Sequence, residues 1–328
     1  MILNKMTIYR MRNSLFGISD HDDRKLINLA LFLILILSII FLVSLYAARN
    51  RTFTTPTDAL VRDDVFGGVE IEARSAIVYD IANSRSLFEK EPNLALPLAS
   101  LAKVMTAVTA LELLPNYTVI TIHGDFLREE GDSGLLRDEK WTLRDLVDLS
   151  LVSSSNDAAA AIAATAGRDT LSDPDLNLNL KEFIKKMNEK AREIGMINTV
   201  FYNATGLDVD DTLSGAYASV NDYITLLKYA LDRYPEIFEA TRLEKVSLTS
   251  LNNENHRATN TNIGIGSIPN VIGSKTGYTE IAGGNLAVIF DPSLGRPFVI
   301  VVLGSSYDGR FSDVEKLTEK TLLTLTLE

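Results

Sequence analysis

The residue patterns predict an α+β domain, with one antiparallel sheet gathering both ends of the domain, behind a single membrane-spanning helix. Three observations carry this. β-type runs occur early and late, helical runs fill the middle, and one long apolar stretch lies near the N-terminus.

The apolar stretch is Leu29 to Ala48, LALFLILILSIIFLVSLYAA, twenty residues without a charge. At 1.5 Å per residue it spans about 30 Å, the thickness of a bilayer's hydrocarbon core. Lys5, Arg10, Arg12, Arg24 and Lys25 precede it, whereas only Arg49 and Arg51 follow closely. This asymmetry places residues 1–28 in the cytoplasm and exports the rest across the cell membrane, with residues 29–48 as the anchor. The competing reading is a cleaved signal peptide. Its apolar region would be shorter and end in small residues, whereas Tyr46 stands where a small residue is wanted if cleavage follows Ala48.

Residues 49–72, with Pro56 and Gly67-Gly68, read as an extracytoplasmic tether, and ordered structure is expected from Ala73. Ser75 to Asp80 and Ser86 to Glu89 form a hairpin across Ala82 to Arg85. A helix from near Ser100 runs through Leu113 and ends before Pro115. Further helices are expected over Trp141 to Val152 with Thr142 as cap, Ala158 to Ala166 stopping at Gly167, Leu180 to Ile194 stopping at Gly195, and Ser219 to Tyr234. Strands return at Ile272 to Thr276, Asn285 to Phe290 and Phe298 to Leu303, the last two joined across Asp291 to Arg296. A final helix has Ser312 as its candidate cap.

Composition removes several chemistries. Asp and Glu number 43 against 32 Lys and Arg, giving a formal charge of −11, and the exported part is more acidic still. Nucleic acid and anionic lipid surfaces are poor partners for such a domain. Cysteine is absent, which excludes disulfides, thiol catalysis and thiolate metal sites. His21, His123 and His256 are scattered, so no metal site and no histidine-based nucleophile are expected, and no cofactor motif is visible. Any nucleophile must find another base.

Ser100-Leu101-Ala102-Lys103 offers one. Residues i and i+3 share a helix face, so Lys103 can reach the Ser100 hydroxyl. The positive field of the helix N-terminus favours an alkoxide and a neutral amine. A buried lysine beside another cation can lose its proton near neutral pH and act as a base. Alone, the spacing is common by chance. Ser154-Ser155-Asn156 adds a hydroxyl able to relay a proton and an amide suited to a peptide group, although Ser155 or Asn156 is equally natural as a helix cap. Lys275-Thr276-Gly277, before Ala282-Gly283-Gly284, offers a cation and a hydroxyl for a carboxylate. Gly277 would let a bound peptide backbone approach the strand. A solvated lysine at a strand end is the plainer reading of that triplet.

The order S-x-x-K, S-x-N, K-T-G is that of penicillin-binding proteins and class A β-lactamases. The likeness extends further, through LPLASLAKVMTAVTALELL, Met187 to Asp208 (MNEKAREIGMINTVFYNATGLD), Asn260 to Asn262, GSKTGYTEIAGGNLAV and VVLGSS. Residues 73–328 thus resemble the low-molecular-weight D-alanyl-D-alanine carboxypeptidases. The resemblance implies a β-lactamase/transpeptidase-like fold with a mostly helical subdomain. It implies attack by Ser100 on the terminal D-alanyl-D-alanine bond of a peptidoglycan stem peptide, with β-lactam antibiotics as covalent inhibitors. By position, Lys103 is then the base, Ser154 the relay and Asn156 the orienter of the acyl side. Lys275 and Thr276 hold the terminal carboxylate, and the backbone N–H groups of Ser100 and Tyr278 form the oxyanion hole.

Two departures stand out. Ser155 occupies a position where the family often carries Gly. The chain ends one helix after its last strand, which leaves no room for the family's C-terminal β-rich domain or its amphipathic anchor, and the N-terminal helix is expected to take over the anchoring. Two related activities remain open. Cross-link endopeptidases use the same residues. A β-lactamase would need a deacylating glutamate in an E-x-x-L-N loop, and Glu193 to Asn198 lacks that spacing.

Overall fold

The computed structural model describes residues 28–29, 31–41, 65–128, 130–131, 134–171 and 175–327. The chain forms two units, Met1–Val61 and Arg62–Glu328. In the first, residues 31–41 are helical with apolar side chains turned outward. The remainder of the expected anchor, its basic flank and most of the tether lie outside the described residues. Among the described residues, no helix is long and apolar enough to cross a membrane.

The second unit begins with β1 (Ser75–Asp80), β2 (Arg85–Lys90) and β3 (Leu96–Pro97), and a 3-10 turn (Ala99–Leu101) leads into α1 (Ala102–Leu113). Next come β4 (Val119–Thr121), β5 (Lys140–Thr142), α2 (Leu143–Val152), α3 (Asn156–Leu171) and α4 (Leu176–Glu193). They are followed by β6 (Val200–Phe201), β7 (Ala216–Ala218), α5 (Val220–Arg233), β8 (Lys245–Thr249) and β9 (Asn255–Thr259). The chain closes with β10 (Val271–Thr279), β11 (Gly283–Phe290), β12 (Phe298–Ser305) and α6 (Gly309–Leu327).

The central sheet has the order β10-β11-β12-β1-β2, and every neighbouring pair is antiparallel. Both faces are covered. Ile77, Ile289, Val299 and Val301 face the helical core around α1, whereas Val78, Val288, Ile300 and Val302 pack with Val314 and Leu317 of α6. Two buried faces explain why Phe298 to Leu303 is continuously apolar instead of alternating. From Ala102 to Ala110 α1 is buried on all sides, which places it at the centre of the helical layer.

Most expected elements are present, and the differences have local causes. Lys140–Thr142 pairs with β4 as a strand, so the helix expected from Trp141 starts at Leu143, with Thr142 Oγ1 accepting from Asp145 N at 3.1 Å. Gly167 does not stop α3. It lies against the Asn179 carbonyl of α4, where a Cβ would overlap that oxygen, and helix continues to Leu171. Gly195, at φ 90°, does lie just past the end of α4. Ser312 sits inside α6, its hydroxyl donating to Gly309 O, and does not cap it. Packing also starts before Ala73: Val65 and Phe66 are buried, and Phe66 stacks on Phe88.

One buried carboxylate ties the beginning of this unit to its end. Asp313 of α6 accepts from Glu72 N at 2.9 Å, Ala73 N at 2.8 Å and Ser305 Oγ at 2.8 Å. Asp313→Ala would strand three donors in the interior. We expect about 3 kcal/mol of lost stability, read as a lower urea midpoint at unchanged m-value, with Asp313→Asn losing less.

Candidate active site

The site is assembled around the short turn between β3 and α1. Leu98 N donates to Ala216 O at 2.9 Å, and Asn285 Nδ2 donates to Pro97 O at 2.9 Å, so the turn hangs from two strands. Ala99 adopts φ 47°, an unfavourable conformation for a residue with a Cβ. Two glycines press on it. A Cβ on Gly206 would overlap the Ala99 carbonyl oxygen, and one on Gly277 would lie 2.7 Å from Leu98 O and 3.2 Å from Ser100 N. Gly277 is therefore required by the packing of the protein's own turn.

Ser100 follows in the 3-10 turn, and Lys103 lies one turn on, only 1% exposed. Lys103 Nζ sits 2.8 Å from Ser100 Oγ, 2.7 Å from Asn156 Oδ1 and 2.7 Å from the Thr205 carbonyl. Asn156 Nδ2 donates to Glu130 O at 2.6 Å, which turns its Oδ1 toward the amine. This arrangement has a chemical consequence. The Thr205 carbonyl and the Asn156 amide oxygen can only accept, whereas the Ser100 hydroxyl can donate. A neutral amine with its two N–H groups on those acceptors directs its lone pair at the Ser100 proton.

Ser154 occupies the turn between α2 and α3 at φ 62°. Ser155 beside it caps α3, accepting from Ala158 N at 3.0 Å, so the capping reading holds for Ser155 while its neighbours face the site. Ser154 Oγ accepts from Lys275 Nζ at 2.9 Å, and Lys275 also donates to Thr276 O at 2.9 Å. Thr276 Oγ1 lies 2.5 Å from Thr261 Oγ1. The chain link Ser154-Ser155-Asn156 thus joins two hydrogen-bonded groups, one around Ser100 and Lys103, the other around Lys275. Tyr278 is 40% exposed, its ring edge-on to Tyr307 at 5.0 Å.

Burial pushes the Lys275 ammonium down to about 7, and the charge of Arg310 adds to the shift. Arg310 is 4% exposed, donates to Gly277 O at 2.8 Å and lies over the Tyr307 ring at 4.4 Å. Protonated Lys275 and Arg310 together create a field suited to an anion.

Sequence reasoning missed Arg310 and the Thr205 carbonyl. Arg310 lies in the last helix with no motif around it, and a backbone carbonyl leaves no side-chain signature. Glu193 stands apart, its exposed carboxylate 2.8 Å from Lys190 Nζ. Among the described residues, no cluster of His, Asp and Glu is placed to hold a metal ion.

Comparison with known proteins places the chain in a family. The profile of the D-alanyl-D-alanine carboxypeptidase family matches residues 61–306. The chain is 29% identical over 254 residues to D-alanyl-D-alanine carboxypeptidase DacF of Bacillus subtilis, covering 76% of this chain and 61% of that protein. It is 31% identical over 223 residues to a D-alanyl-D-alanine endopeptidase of Haemophilus influenzae, covering 66% and 70% respectively. Among solved structures, penicillin-binding protein D2 of Listeria monocytogenes in its ampicillin-bound form superimposes with a TM-score of 0.64 at 30% identity. That match covers 78% of this chain and 99% of the Listeria chain. With three-quarters of its length matched and an α+β transpeptidase-like fold, the chain belongs to the D-alanyl-D-alanine carboxypeptidase family.

Proposed function

We propose that this protein is a serine carboxypeptidase that removes the terminal D-alanine of peptidoglycan stem peptides through an acyl-enzyme on Ser100. The observation that carries the proposal is the Ser100–Lys103 contact of 2.8 Å, with the two fixed acceptors on the far side of the amine. Lys103 takes the hydroxyl proton as Ser100 Oγ attacks the carbonyl carbon. The backbone N–H groups of Ser100 and Tyr278 stabilise the oxyanion, at about 3 kcal/mol per donor. Ser154, held by Lys275, gives a proton to the departing amine and takes in its place the one that Lys103 received, which leaves Lys103 neutral again. Water then attacks the ester, with Lys103 again accepting a proton.

Lys275 and Thr276 hold the terminal carboxylate, with the Arg310 charge behind them. Asn156 divides its work: Oδ1 orients Lys103, and the amide borders the acyl side of the substrate. β-Lactams present a carboxylate and a strained amide in a similar arrangement, and they acylate the same serine.

The domain is held at the cell membrane by residues 29–48, with the N-terminus in the cytoplasm. The charge asymmetry around that stretch and the outward-facing side chains of Phe32, Ile34 and Leu37 support this reading. An N-terminal tag should resist protease added to intact spheroplasts while the domain beyond residue 65 is digested; the reverse pattern, or a mature chain starting near residue 49, overturns it.

Activity is tested by D-alanine release from a pentapeptide beside labelling with a fluorescent penicillin. Ser100→Ala should show neither. Lys103→Arg should lose acylation by about 10²–10⁴-fold, because a guanidinium stays protonated. D-alanine release by Ser100→Ala, or release near the wild-type rate by Lys103→Arg, removes the assignment.

The pH dependence follows from Lys275. Its ammonium loses its proton as pH rises through about 7, so the form that attracts a carboxylate dominates below that value. In the free enzyme, kcat/KM for the pentapeptide should fall as pH rises past 7. Lys275→Arg, with a permanent charge, should lower the plateau and abolish that fall. An unchanged alkaline limb in Lys275→Arg would assign it elsewhere.

A further inference from the structure

In the loop between β6 and β7, one peptide group connects Lys103 to a side chain behind the site. The Thr205–Gly206 bond is trans, so its C=O and N–H point in opposite directions from one rigid plane. The carbonyl accepts from Lys103 Nζ at 2.7 Å, and the N–H donates to Asn203 Oδ1 at 2.7 Å. Lys103 and Asn203 thus hold the two ends of the same plane.

The half-buried Asn203 amide is itself tied down. Its Oδ1 also accepts from Thr205 Oγ1 at 3.2 Å, and its Nδ2 donates to Leu207 O at 2.8 Å. Thr205 Oγ1 in turn accepts from Leu207 N at 3.2 Å. Such a closed set of local bonds needs a short side chain with both a donor and an acceptor, which asparagine has. Gly215 leaves the room for it, since a Cβ there would overlap both amide atoms of Asn203.

Other contacts set where the loop lies. Thr106 Oγ1 donates to Ala204 O at 2.7 Å, which fastens the loop to α1, and Gly206 presses on Ala99. The tilt of the Thr205–Gly206 plane is held by the bonds at its two ends. Without Asn203 the Gly206 N–H would seek another partner, and the plane would turn to find it. That turn carries the carbonyl off the amine, removes one of its two fixed acceptors, and frees its lone pair to swing away from Ser100.

We propose that Asn203 is a positioning residue for Lys103, acting through the Thr205–Gly206 peptide group. The proposal rests on the acyl-enzyme reading of Ser100. Asn203 Oδ1 aims the plane and polarises it, and the Thr205 carbonyl then holds one N–H of the amine. The same aim is needed twice, when Ser100 loses its proton and when the deacylating water does.

The test follows a fluorescent penicillin on the full-length protein, separating the acylation rate constant at saturation from the half-saturating concentration, and then follows loss of the label. Asn203→Ala should slow acylation by about tenfold to a hundredfold and deacylation by a similar factor, with the half-saturating concentration within about twofold of wild type. Asn203→Asp keeps an oxygen for the Gly206 N–H. At its own pH optimum it should acylate about fivefold or more faster than the alanine variant. A purely structural role gives another result: less protein takes the label and the unfolding temperature falls, but the folded fraction reacts at the wild-type rate. That outcome overturns the proposal, as does a change confined to the half-saturating concentration or an aspartate variant as slow as the alanine one. Should Asn203→Ala not fold, Gly215→Ala crowds the same amide and should slow acylation likewise; a wild-type rate there also overturns it. Wild type that takes no label removes the acyl-enzyme reading first, and the role of Asn203 with it.

Discussion

The site depends on one tight constraint, the packing of the Leu98–Ser100 turn between two glycines. Gly206 and Gly277 come from segments far apart in sequence, yet each meets the turn where a single methyl group would collide with it. Their pressure holds Ala99 in a conformation that costs of order 1–3 kcal/mol. The nucleophile's position is thus set by backbone contact on both sides, with little freedom left to side-chain rotamers. The same contacts fix the rest. Gly206 brings the neighbouring Thr205 carbonyl onto Lys103, and Gly277 brings β10, with Lys275 and Thr276, alongside Ser100.

Two buried lysines share this small volume, and their surroundings differ. Lys103 meets a hydroxyl, an amide oxygen and a carbonyl. Lys275 meets a hydroxyl, its neighbour's carbonyl and the field of Arg310. An amine surrounded by acceptors and one donor is suited to moving a proton, whereas an amine backed by a second cation is suited to holding an anion. The Ser154-Ser155-Asn156 turn touches both, so the proton path and the anion site share one short segment of chain.

Much of this was legible in the residues. The β1–β2 and β11–β12 hairpins follow from β-branched runs bounded by turn residues, and α5 from its Ser219 cap and its stop before Pro235. Gly167 misled because a glycine in a helical run can mark an ending or a close crossing, and only the Asn179 carbonyl of α4 decides between them. Trp141 misled because Thr142, the cap beside it, also ends a strand, and the partner of Trp141 in β4 is Ile120, far back in the sequence. For the site, the three short motifs named the side chains that converge. Arg310 and the Thr205 carbonyl escaped because tertiary packing alone brings them there.

The pairing of β1 with β12 has a bearing on biogenesis. The first strand of the sheet finds its neighbour more than two hundred residues later, and Asp313 fastens the two together. Contacts this distant in sequence slow folding, because a long loop must close before they contribute. A chain emerging N-terminus first cannot complete its central sheet until Ser305 has been made. The helical middle can collapse early, but it would do so against a sheet still lacking three of its five strands. The apolar strands β10, β11 and β12 then arrive together, and their arrival closes the core and aligns Lys275 with Ser154.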